Sequence, residues 1–285
     1  MNELSAIVTD LDGALLCGSL MASGLSLISE QDVNTIEKLS KQGIPTFLVT
    51  GRPFPFVAEI MDQVGYDLPL CCCNGGLIYD FKTQKAIYAK GMPAGTARNI
   101  TQFLQGRGIP FLAYTQNGVW FSARNEGRHP YWSAQNQLYK EKNRFVERFF
   151  TEEAFDFEDE PIIKILLQLA SDEPVVQEMR ELFSKDGQLH IVASGKRFLD
   201  ISDAQANKAE GVRALARLFG FDIARTIAMG DNFNDDAMLR LSGIPVVTEN
   251  GEDEMKAIAK FVTTSNNDSP LTHAIAHLFP ALLGS

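Results

Sequence analysis

Short apolar runs alternate with amphipathic helical stretches from the start of the chain. The pattern predicts a strand in AIVTD, a helix in SEQDVNTIEKLSKQG, a strand in IPTFLVTG, a helix in PFPFVAEIMDQVG and a strand in LPLCCCNGG. The first helix has recognisable ends, because Ser29 can cap its N-terminus, with Asp32 three residues further on, and Gly43 can terminate it. Such alternation is typical of a parallel sheet with helices on both faces.

The same alternation returns late in the chain. It predicts a helix in NKAEGVRALARLFG, a strand in TIAMGD, a helix in NDDAMLRLSG, a strand in IPVVTEN, a helix in EDEMKAIAKF and a short strand in FVTT. The stretch between the two blocks differs. There, IPFLAYTQNGVWFSAR predicts a β-hairpin that turns at Asn117–Gly118, PIIKILLQLA and GQLHIVASGKRFLDIS are strand-like, and EPVVQEMRELFSKD predicts a helix.

These patterns together predict an α/β protein with a split core. The core is a Rossmann-like parallel sheet with helices on both faces, formed by residues 1–84 and 193–285. Residues 85–192 are predicted to form an inserted α/β module. A chain of 285 residues is long enough for one large domain or two smaller ones.

Composition and charge narrow the class of protein. Hydrophobic residues make up 45% of the chain, as expected of a globular protein with a substantial core. The net charge of -10 disfavours a free-standing nucleic-acid binder, and it suits an anionic substrate only if a metal or a few lysines gather positive charge locally. No apolar run is long enough to span a bilayer, and MNELSAIVTD lacks a charged leader and an apolar signal core. We therefore expect a cytoplasmic protein, without a membrane partner, as a monomer or homodimer.

Three of the four cysteines are consecutive, at positions 71, 72 and 73. Alternate side chains on a strand point to opposite faces, so the three thiols cannot close around one metal ion. We expect reduced, buried strand residues rather than a zinc or redox site.

The chemistry is concentrated where predicted strands end, which is where open parallel sheets bind ligands. Asp10 and Asp12 follow the first strand; they repel each other and lose hydration there, a cost that a shared divalent metal would offset. The alternative is a surface turn stabilised by an aspartate side chain. A calcium-binding EF-hand loop is excluded, because Leu15 and Met21 occupy the positions that need glycine and glutamate.

Two further clusters carry groups suited to an anion. Thr50, Gly51 and Arg52 close the strand FLVT, where a hydroxyl and backbone N–H groups suit a phosphate, although an ordinary turn with a helix cap is the alternative. Lys208 begins a predicted helix. It is either a solvated side chain or a point charge that neutralises an anion at the strand ends.

The fourth cluster is GDNFND, residues 230–235, directly after TIAM. Its acidic and amide groups could simply cap the next helix. If its strand neighbours the first one, however, Asp231 lies near Asp10, and two carboxylates that face one gap favour Mg²⁺. Four such clusters, each at a strand end or a helix start, indicate a single site.

The ordered motifs DLDG, VTGR, NKAEGV and GDNFNDDAM resemble those of the haloacid dehalogenase-like (HAD) hydrolases, specifically the Cof-type sugar-phosphatase branch. CCNGGLIYD is similar to the strand that precedes the branch's specificity module, the cap. The tail is also similar, with Asn250, Lys256 and Asn266 where the pattern expects them. The resemblance covers both predicted core halves, whereas the insertion matches in position, length and texture.

The resemblance implies roles for individual residues. Asp10 is the nucleophile that forms an aspartyl-phosphate, and Asp12 protonates the leaving oxygen and then deprotonates the hydrolytic water. Mg²⁺ is held by Asp10, the backbone carbonyl of Asp12, and Asp231. Lys208 is the third catalytic residue. Asp235 does not bind the metal directly and orients waters or Lys208. The groups implied to bind the phosphoryl oxygens are Thr50, Lys208, Asn234 and the N–H groups of Leu11 and Gly51.

One core position departs from the family pattern. Residue 14 is alanine where the family has threonine, whose hydroxyl braces the loop after the nucleophile. The lost hydrogen bond is worth about 0.5–1.5 kcal/mol, so we expect a looser loop rather than a dead site.

In the insertion, arginines offer contacts to a second anionic group of a substrate. The candidates are Arg124 and Arg128, together with Arg52 from the core. His129, Tyr131 and Trp132 lie nearby, and rings there could cover a sugar or simply pack on the module's surface.

The resemblance implies a Mg²⁺-dependent phosphatase of small phosphorylated metabolites, sugar phosphates first. The alternatives are a phosphomutase of the same fold and a non-catalytic phosphate or metabolite sensor. A nucleotide-dependent oxidoreductase is disfavoured, because no GxGxxG follows the first strand.

Overall fold

The computed structural model describes residues 4–18, 27–65, 67–122, 148–151, 154–184, 187–193 and 198–284. The strands are β1 Ala6–Thr9, β2 Thr46–Leu48, β3 Leu70–Cys72, β4 Leu77–Asp80, β5 Lys85–Ala89, β6 Phe111–Thr115, β7 Gly118–Ser122, β8 Arg148–Phe150, β9 Lys164–Leu167, β10 Leu189–Ala193, β11 Leu199–Asp203, β12 Thr226–Gly230, β13 Ile244–Thr248 and β14 Phe261–Thr263. The helices are α1 Glu30–Lys41, α2 Ala58–Val64, α3 Ala94–Gly106, α4 Pro174–Phe183, α5 Lys208–Phe219, α6 Asp236–Leu241, α7 Asp253–Lys256 and α8 Pro270–Leu278.

A five-stranded parallel sheet forms the centre of the protein, in the order β14-β13-β12-β1-β2. Alternate residues of β1 enter different cores: Ile7 packs with residues of α1 and α8, and Val8 packs with residues of α5 and α6. The expected parallel sheet with helices on both faces is therefore confirmed. Among the described residues, no helix has both the length and the hydropathy needed to cross a bilayer.

The first helix forms as its sequence predicts. The Ser29 hydroxyl accepts the N–H of Asp32, which caps the N-terminus of α1. Ile36 and Leu39 are buried against the central sheet. The helix ends at Lys41, and Gly43 follows in the left-handed region with a φ of 79°.

A second, mainly antiparallel sheet has the order β10-β11-β9-β6-β7-β8. One face packs on α3 and α4, and the other face packs with residues of the central core through Leu112, Tyr114 and Leu166. We call β6–β11 with α3 and α4 the six-stranded module. The predicted α/β insertion is thus present as a separate sheet with its own helices.

One local expectation needs correction. The hairpin turns at Gln116–Asn117 instead of Asn117–Gly118, because Thr115 pairs with Gly118 and the Thr115 hydroxyl accepts the N–H of Asn117. The sheets also do not change at the predicted residues 85 and 193. Strand β5 pairs with β4 in a three-stranded sheet with β3, and β11 belongs to the six-stranded module. The division into core and insertion at 84/85 and 192/193 stays a prediction.

The consecutive cysteines are buried free thiols. Cys71 packs in the core on one face of the central sheet and Cys72 in the core on the other face, as strand alternation requires. Cys73 begins the turn after β3. Burial raises the pKa of Cys71 to about 12 and also raises that of Cys72.

We predict that these thiols are inert in the folded protein, because burial blocks access to all three and suppresses the reactive thiolate form of Cys71 and Cys72. With a disulfide reagent at pH 8, the native protein should react at Cys17 alone, which is partly exposed, and slowly, because its pKa is also raised, mainly by burial. All four thiols should react in denaturant. The variant Cys17→Ser should be silent until it unfolds; rapid modification of that variant would contradict the burial.

Candidate active site

The carboxyl edge of the central sheet brings two distant acidic residues together. Strands β1 and β12 are parallel neighbours with Thr9 opposite Met229, and the N–H of Asp10 donates to the carbonyl of Met229 at 2.9 Å. Asp10 and Asp231 therefore leave the sheet side by side. Oxygens of Asp10, Asp231 and Asp235 all lie within 4.8 Å of one another.

Lys208 is the cation of this cluster. It is the first residue of α5, whose N-terminus is capped by the Asn207 side chain, and it is completely buried. Its Nζ lies 2.8 Å from Oδ1 of Asp10 and 2.6 Å from Oδ1 of Asp235. Burial opposes its positive charge, but the two carboxylates outweigh burial and raise the pKa of Lys208. The alternative of a solvated lysine is wrong.

Both carboxylate oxygens of Asp235 accept hydrogen bonds. Oδ1 accepts from Lys208, and Oδ2 accepts the N–H groups of Asp231 at 3.0 Å and Asn232 at 3.2 Å. One carboxylate thus fixes the lysine and the loop that carries Asp231. A metal ion would find both oxygens of Asp235 already engaged.

The crowded carboxylates are strained electrostatically. Burial raises the pKa of Asp10 to about 7; Lys208 lowers it, whereas Asp235 and Asp12 raise it. Burial and then the charge of Asp10 raise the pKa of Asp231 to about 8. Oδ1 of Asp231 is buried and receives no hydrogen bond from any described residue. A set of hard oxygen donors with one unpartnered atom fits a divalent cation such as Mg²⁺.

The loop after Asp10 is held close to Asp231. Gly13 has a φ of 75°, and a Cβ at this position would lie 2.2 Å from Oδ2 of Asp231. The carbonyl of Gly13 accepts two hydrogen bonds from the end of β13, from the Thr248 hydroxyl at 3.0 Å and from Nδ2 of Asn250 at 2.8 Å. Ala14 is buried behind this loop. The loop is therefore braced without a hydroxyl at position 14.

Asn266 extends the brace. Its N–H donates to Oδ1 of Asn250 at 2.8 Å, and its Nδ2 donates to the carbonyl of Leu16 at 2.7 Å. Lys256, which the family pattern also contains, pairs with Asp253 within α7. Of the three tail residues, the two asparagines hold the loop that follows Asp10.

Thr50, Gly51 and Arg52 lie beside the acidic cluster. Thr50 is buried, its N–H donates to the carbonyl of Cys71, and its hydroxyl oxygen accepts the N–H of Arg52 at 3.2 Å. Because this oxygen accepts from the backbone, the hydroxyl proton can point to a ligand. The Arg52 guanidinium binds Asp12 with two hydrogen bonds, Nε to Oδ2 at 2.7 Å and Nη2 to Oδ1 at 2.5 Å.

Three functional candidates were missed by sequence reasoning: Asn74, Lys164 and Asp200. Asn74 lies in the turn between β3 and β4; its Nδ2 donates to Oδ2 of Asp200 at 2.9 Å, and its Oδ1 accepts from Nδ2 of Asn234 at 3.4 Å. Lys164 pairs with Asp200 at 2.6 Å and donates to the carbonyl of Gly51 at 3.1 Å. The available signal was a lone charge inside each of two apolar runs, PIIKILLQLA and FLDIS.

The structure brings together the predicted residues that it describes at this edge, namely Asp10, Leu11, Asp12, Thr50, Gly51, Arg52, Lys208, Asp231, Asn234 and Asp235. Arg124, Arg128, His129, Tyr131 and Trp132 lie outside the described residues.

Known proteins are similar to this chain in sequence and in fold. A family model described as haloacid dehalogenase-like hydrolase matches residues 7–275. A Bacillus subtilis relative named 5-amino-6-(5-phospho-D-ribitylamino)uracil phosphatase is 26% identical over 292 residues, covering 96% of this chain and 98% of its own. The Escherichia coli pyridoxal phosphate phosphatase is 24% identical over 276 residues, covering 95% and 98%. A solved structure of BT4131, described as a HAD subclass IIB sugar phosphatase, has a TM-score of 0.74 at 21% identity, covering 96% and 98%.

We predict that Gly13→Ala weakens Mg²⁺ binding by about 10–100-fold, because the new methyl group displaces the Asp231 carboxylate. The measurement is Mg²⁺ affinity by calorimetry, together with the rise in Tm that Mg²⁺ produces. Gly18→Ala is the matched control: its φ is 83°, so the backbone strain is similar, but a Cβ there meets nothing within 4 Å. Equal Mg²⁺ affinity in the two variants would show that the loop does not position Asp231.

Proposed function

The chain belongs to the haloacid dehalogenase-like hydrolases and is a phosphatase; from that premise we propose that it hydrolyses small phosphorylated metabolites, sugar phosphates first, in a Mg²⁺-dependent reaction through an aspartyl-phosphate. The observation that carries the proposal is the buried Lys208 ammonium between Asp10 and Asp235, beside Asp231 at the same sheet edge. Positive charge is fixed where an incoming phosphoryl group would need it.

Two of the three proposed metal ligands, Asp10 and Asp231, have side-chain oxygens that lie within 4.8 Å of each other. Asp10, Asp231 and the backbone carbonyl of Asp12 would hold Mg²⁺, and the unpartnered Oδ1 of Asp231 supports this assignment. When bound, Mg²⁺ would supply charge neutralisation between the carboxylates and the phosphoryl oxygens. Asp235 stays behind these ligands, because Lys208 and two backbone N–H groups engage it.

We define the phosphoryl cradle as the Thr50 hydroxyl, the N–H groups of Leu11 and Gly51, the Lys208 ammonium and the Asn234 amide. In the proposed first step, a carboxylate oxygen of Asp10 attacks phosphorus, and the bond from phosphorus to the leaving oxygen breaks. Asp12 gives its proton to that leaving oxygen. The cradle holds the three remaining phosphoryl oxygens in both steps.

In the proposed second step, Asp12 takes a proton from water as the water oxygen attacks phosphorus. The bond from phosphorus to Asp10 breaks, and inorganic phosphate leaves. Arg52 donates to both oxygens of Asp12 and so holds this side chain in one orientation. We therefore assign Arg52 first to positioning Asp12, and its predicted contact with substrate stays a prediction.

The names of the relatives support the proposed class of substrate. The B. subtilis and E. coli relatives are named for two different small phosphorylated metabolites, and BT4131 is described as a sugar phosphatase. We propose that the six-stranded module provides the surface that selects the leaving group. It would act as the cap on the catalytic core, with domain boundaries near the predicted residues. Cytoplasmic location, a monomeric or homodimeric state and the absence of a nucleic-acid partner stay predictions.

We predict that purified protein with Mg²⁺ releases inorganic phosphate from p-nitrophenyl phosphate, and that Asp10→Asn reduces kcat by at least about 10³-fold, because it removes the nucleophile. Chelation of Mg²⁺ should abolish turnover and its return should restore it. Asp236→Asn is the matched control, since that carboxylate forms an exposed pair with Arg240 on α6. Wild type as inert as Asp10→Asn would favour a sensor, and a requirement for a bisphosphate activator would favour a phosphomutase.

We also predict that Arg52→Lys lowers kcat more for an alkyl phosphate than for p-nitrophenyl phosphate. Lysine cannot make the two-pronged contact that aims Asp12. An alkoxide leaving group needs a proton from Asp12, whereas p-nitrophenolate leaves readily without one. Steady-state kcat for both substrates gives the comparison, and an equal loss on both would mean that Arg52 does not act through Asp12.

A further inference from the structure

An ion pair that no motif includes is buried where the six-stranded module meets the candidate site. Lys164 and Asp200 are 3% and 1% exposed, and Nζ lies 2.6 Å from Oδ2. They belong to neighbouring strands, β9 and β11. The register pairs Lys164 with Ser202 and Leu166 with Asp200, so the two charged side chains share one face of the sheet.

Apolar side chains on the same face contact the central core. Leu112, Tyr114 and Leu166 lie on this face and pack in the same cluster as the central core, and the Lys164 ammonium lies 5.6 Å from the Tyr114 ring centroid. Burying a charged pair in such a surface costs desolvation that hydrophobic residues would avoid. The ion pair therefore stabilises the contact between the sheets less well than apolar residues would. Its role is indicated by the other hydrogen bonds that the two side chains make.

The lysine end of the pair controls one peptide group. Nζ of Lys164 donates to the carbonyl of Gly51 at 3.1 Å, and the N–H of the same peptide unit, from Arg52, donates to the Thr50 hydroxyl at 3.2 Å. Fixing the plane of this peptide fixes the direction from which the Thr50 oxygen accepts. The direction in which the Thr50 hydroxyl can donate is fixed with it.

The aspartate end controls an amide on the other side of the cradle. Oδ2 of Asp200 accepts from Nδ2 of Asn74, which leaves Oδ1 of Asn74 turned to Nδ2 of Asn234 at 3.4 Å. Oδ1 of Asn74 also lies against Gly51, where an added Cβ would be 2.8 Å from it. The Asp200 carboxylate thus fixes the orientation of the Asn74 side-chain amide, and the Asn74 amide in turn positions the Asn234 side chain.

We propose that Lys164 and Asp200 are positioning residues that set the geometry of the phosphoryl cradle from the six-stranded module. The inference rests on the proposed function, because the cradle is defined by it. One end of the pair orients Thr50 and Gly51, and the other end orients Asn234 through Asn74. Phosphoryl binding therefore depends on the module being seated on the central sheet.

The test compares Lys164→Met with Lys90→Met in p-nitrophenyl phosphate hydrolysis at saturating Mg²⁺. Lys90 forms an ion pair at 3.6 Å with Asp203, at the end of the same strand β11, so it controls for loss of a lysine near the module. Lys164→Met should lower kcat/KM by roughly 10²-fold and weaken inhibition by inorganic phosphate. Lys90→Met should behave as wild type.

A double variant, Lys164→Met with Asp200→Asn, guards against misfolding because it leaves no unpaired buried charge. Its Tm should rise with Mg²⁺ as in wild type but should no longer rise with inorganic phosphate added in the presence of Mg²⁺. This equilibrium readout needs no turnover. A merely structural pair would lower the Tm and leave both ligand-induced shifts intact.

The outcomes separate the two proposals. A wild type that turns over nothing contradicts the proposed phosphatase chemistry, while the phosphate-induced shift in Tm still tests the pair. An active wild type with Lys164→Met equal to Lys90→Met, or a folded double variant that keeps the phosphate shift, overturns the positioning role. If the double variant has no cooperative unfolding transition, the pair is required for folding and the inference is also wrong.

Discussion

One buried ammonium group makes the arrangement at the sheet edge possible. Asp10, Asp231 and Asp235 lie close together, and burial raises the pKa of Asp10 to about 7 and that of Asp231 to about 8. Lys208, fully buried at the start of α5, contacts two of the three and remains a cation because of them. The interaction is mutual, because Asp10 raises the pKa of Lys208 and Lys208 lowers that of Asp10. The unpartnered oxygen of Asp231 is where the proposed function places a divalent cation.

The central sheet brings the residues of this cluster together from distant parts of the chain. The sequence predicted that Asp10 and Asp231 lie close together on the condition that their strands are neighbours. Strands β1 and β12 meet that condition, so their carboxyl ends coincide. The helix start at Lys208 follows from the Asn207 cap, a local signal in the sequence. These residues were predictable because backbone periodicity and capping, which act over short distances, determine where they emerge.

The rest could not be predicted because it depends on how two sheets dock. Nothing local in PIIKILLQLA or FLDIS says that Lys164 and Asp200 pair on neighbouring antiparallel strands, or that the pair faces Gly51. The predicted turn of the hairpin was wrong by one residue. Asn-Gly is a strong turn signal, but the strand pairing of Thr115 with Gly118 places the turn one residue earlier. Strand β11 joins the six-stranded module although it follows the predicted boundary at residue 193, and apolar alternation in β11 is the same whichever sheet it joins.

The alanine at position 14 shows how the site tolerates a departure from the family pattern. A threonine hydroxyl there would brace the loop from within, but the Gly13 carbonyl already accepts from Thr248 and Asn250. Asn266 ties Asn250 to the far end of the same loop. Because Gly13 packs directly against Asp231, bracing from β13 also fixes the distance between the first strand and the Asp231 carboxylate. The loop is therefore held by hydrogen bonds from the neighbouring strand end without a hydroxyl at position 14.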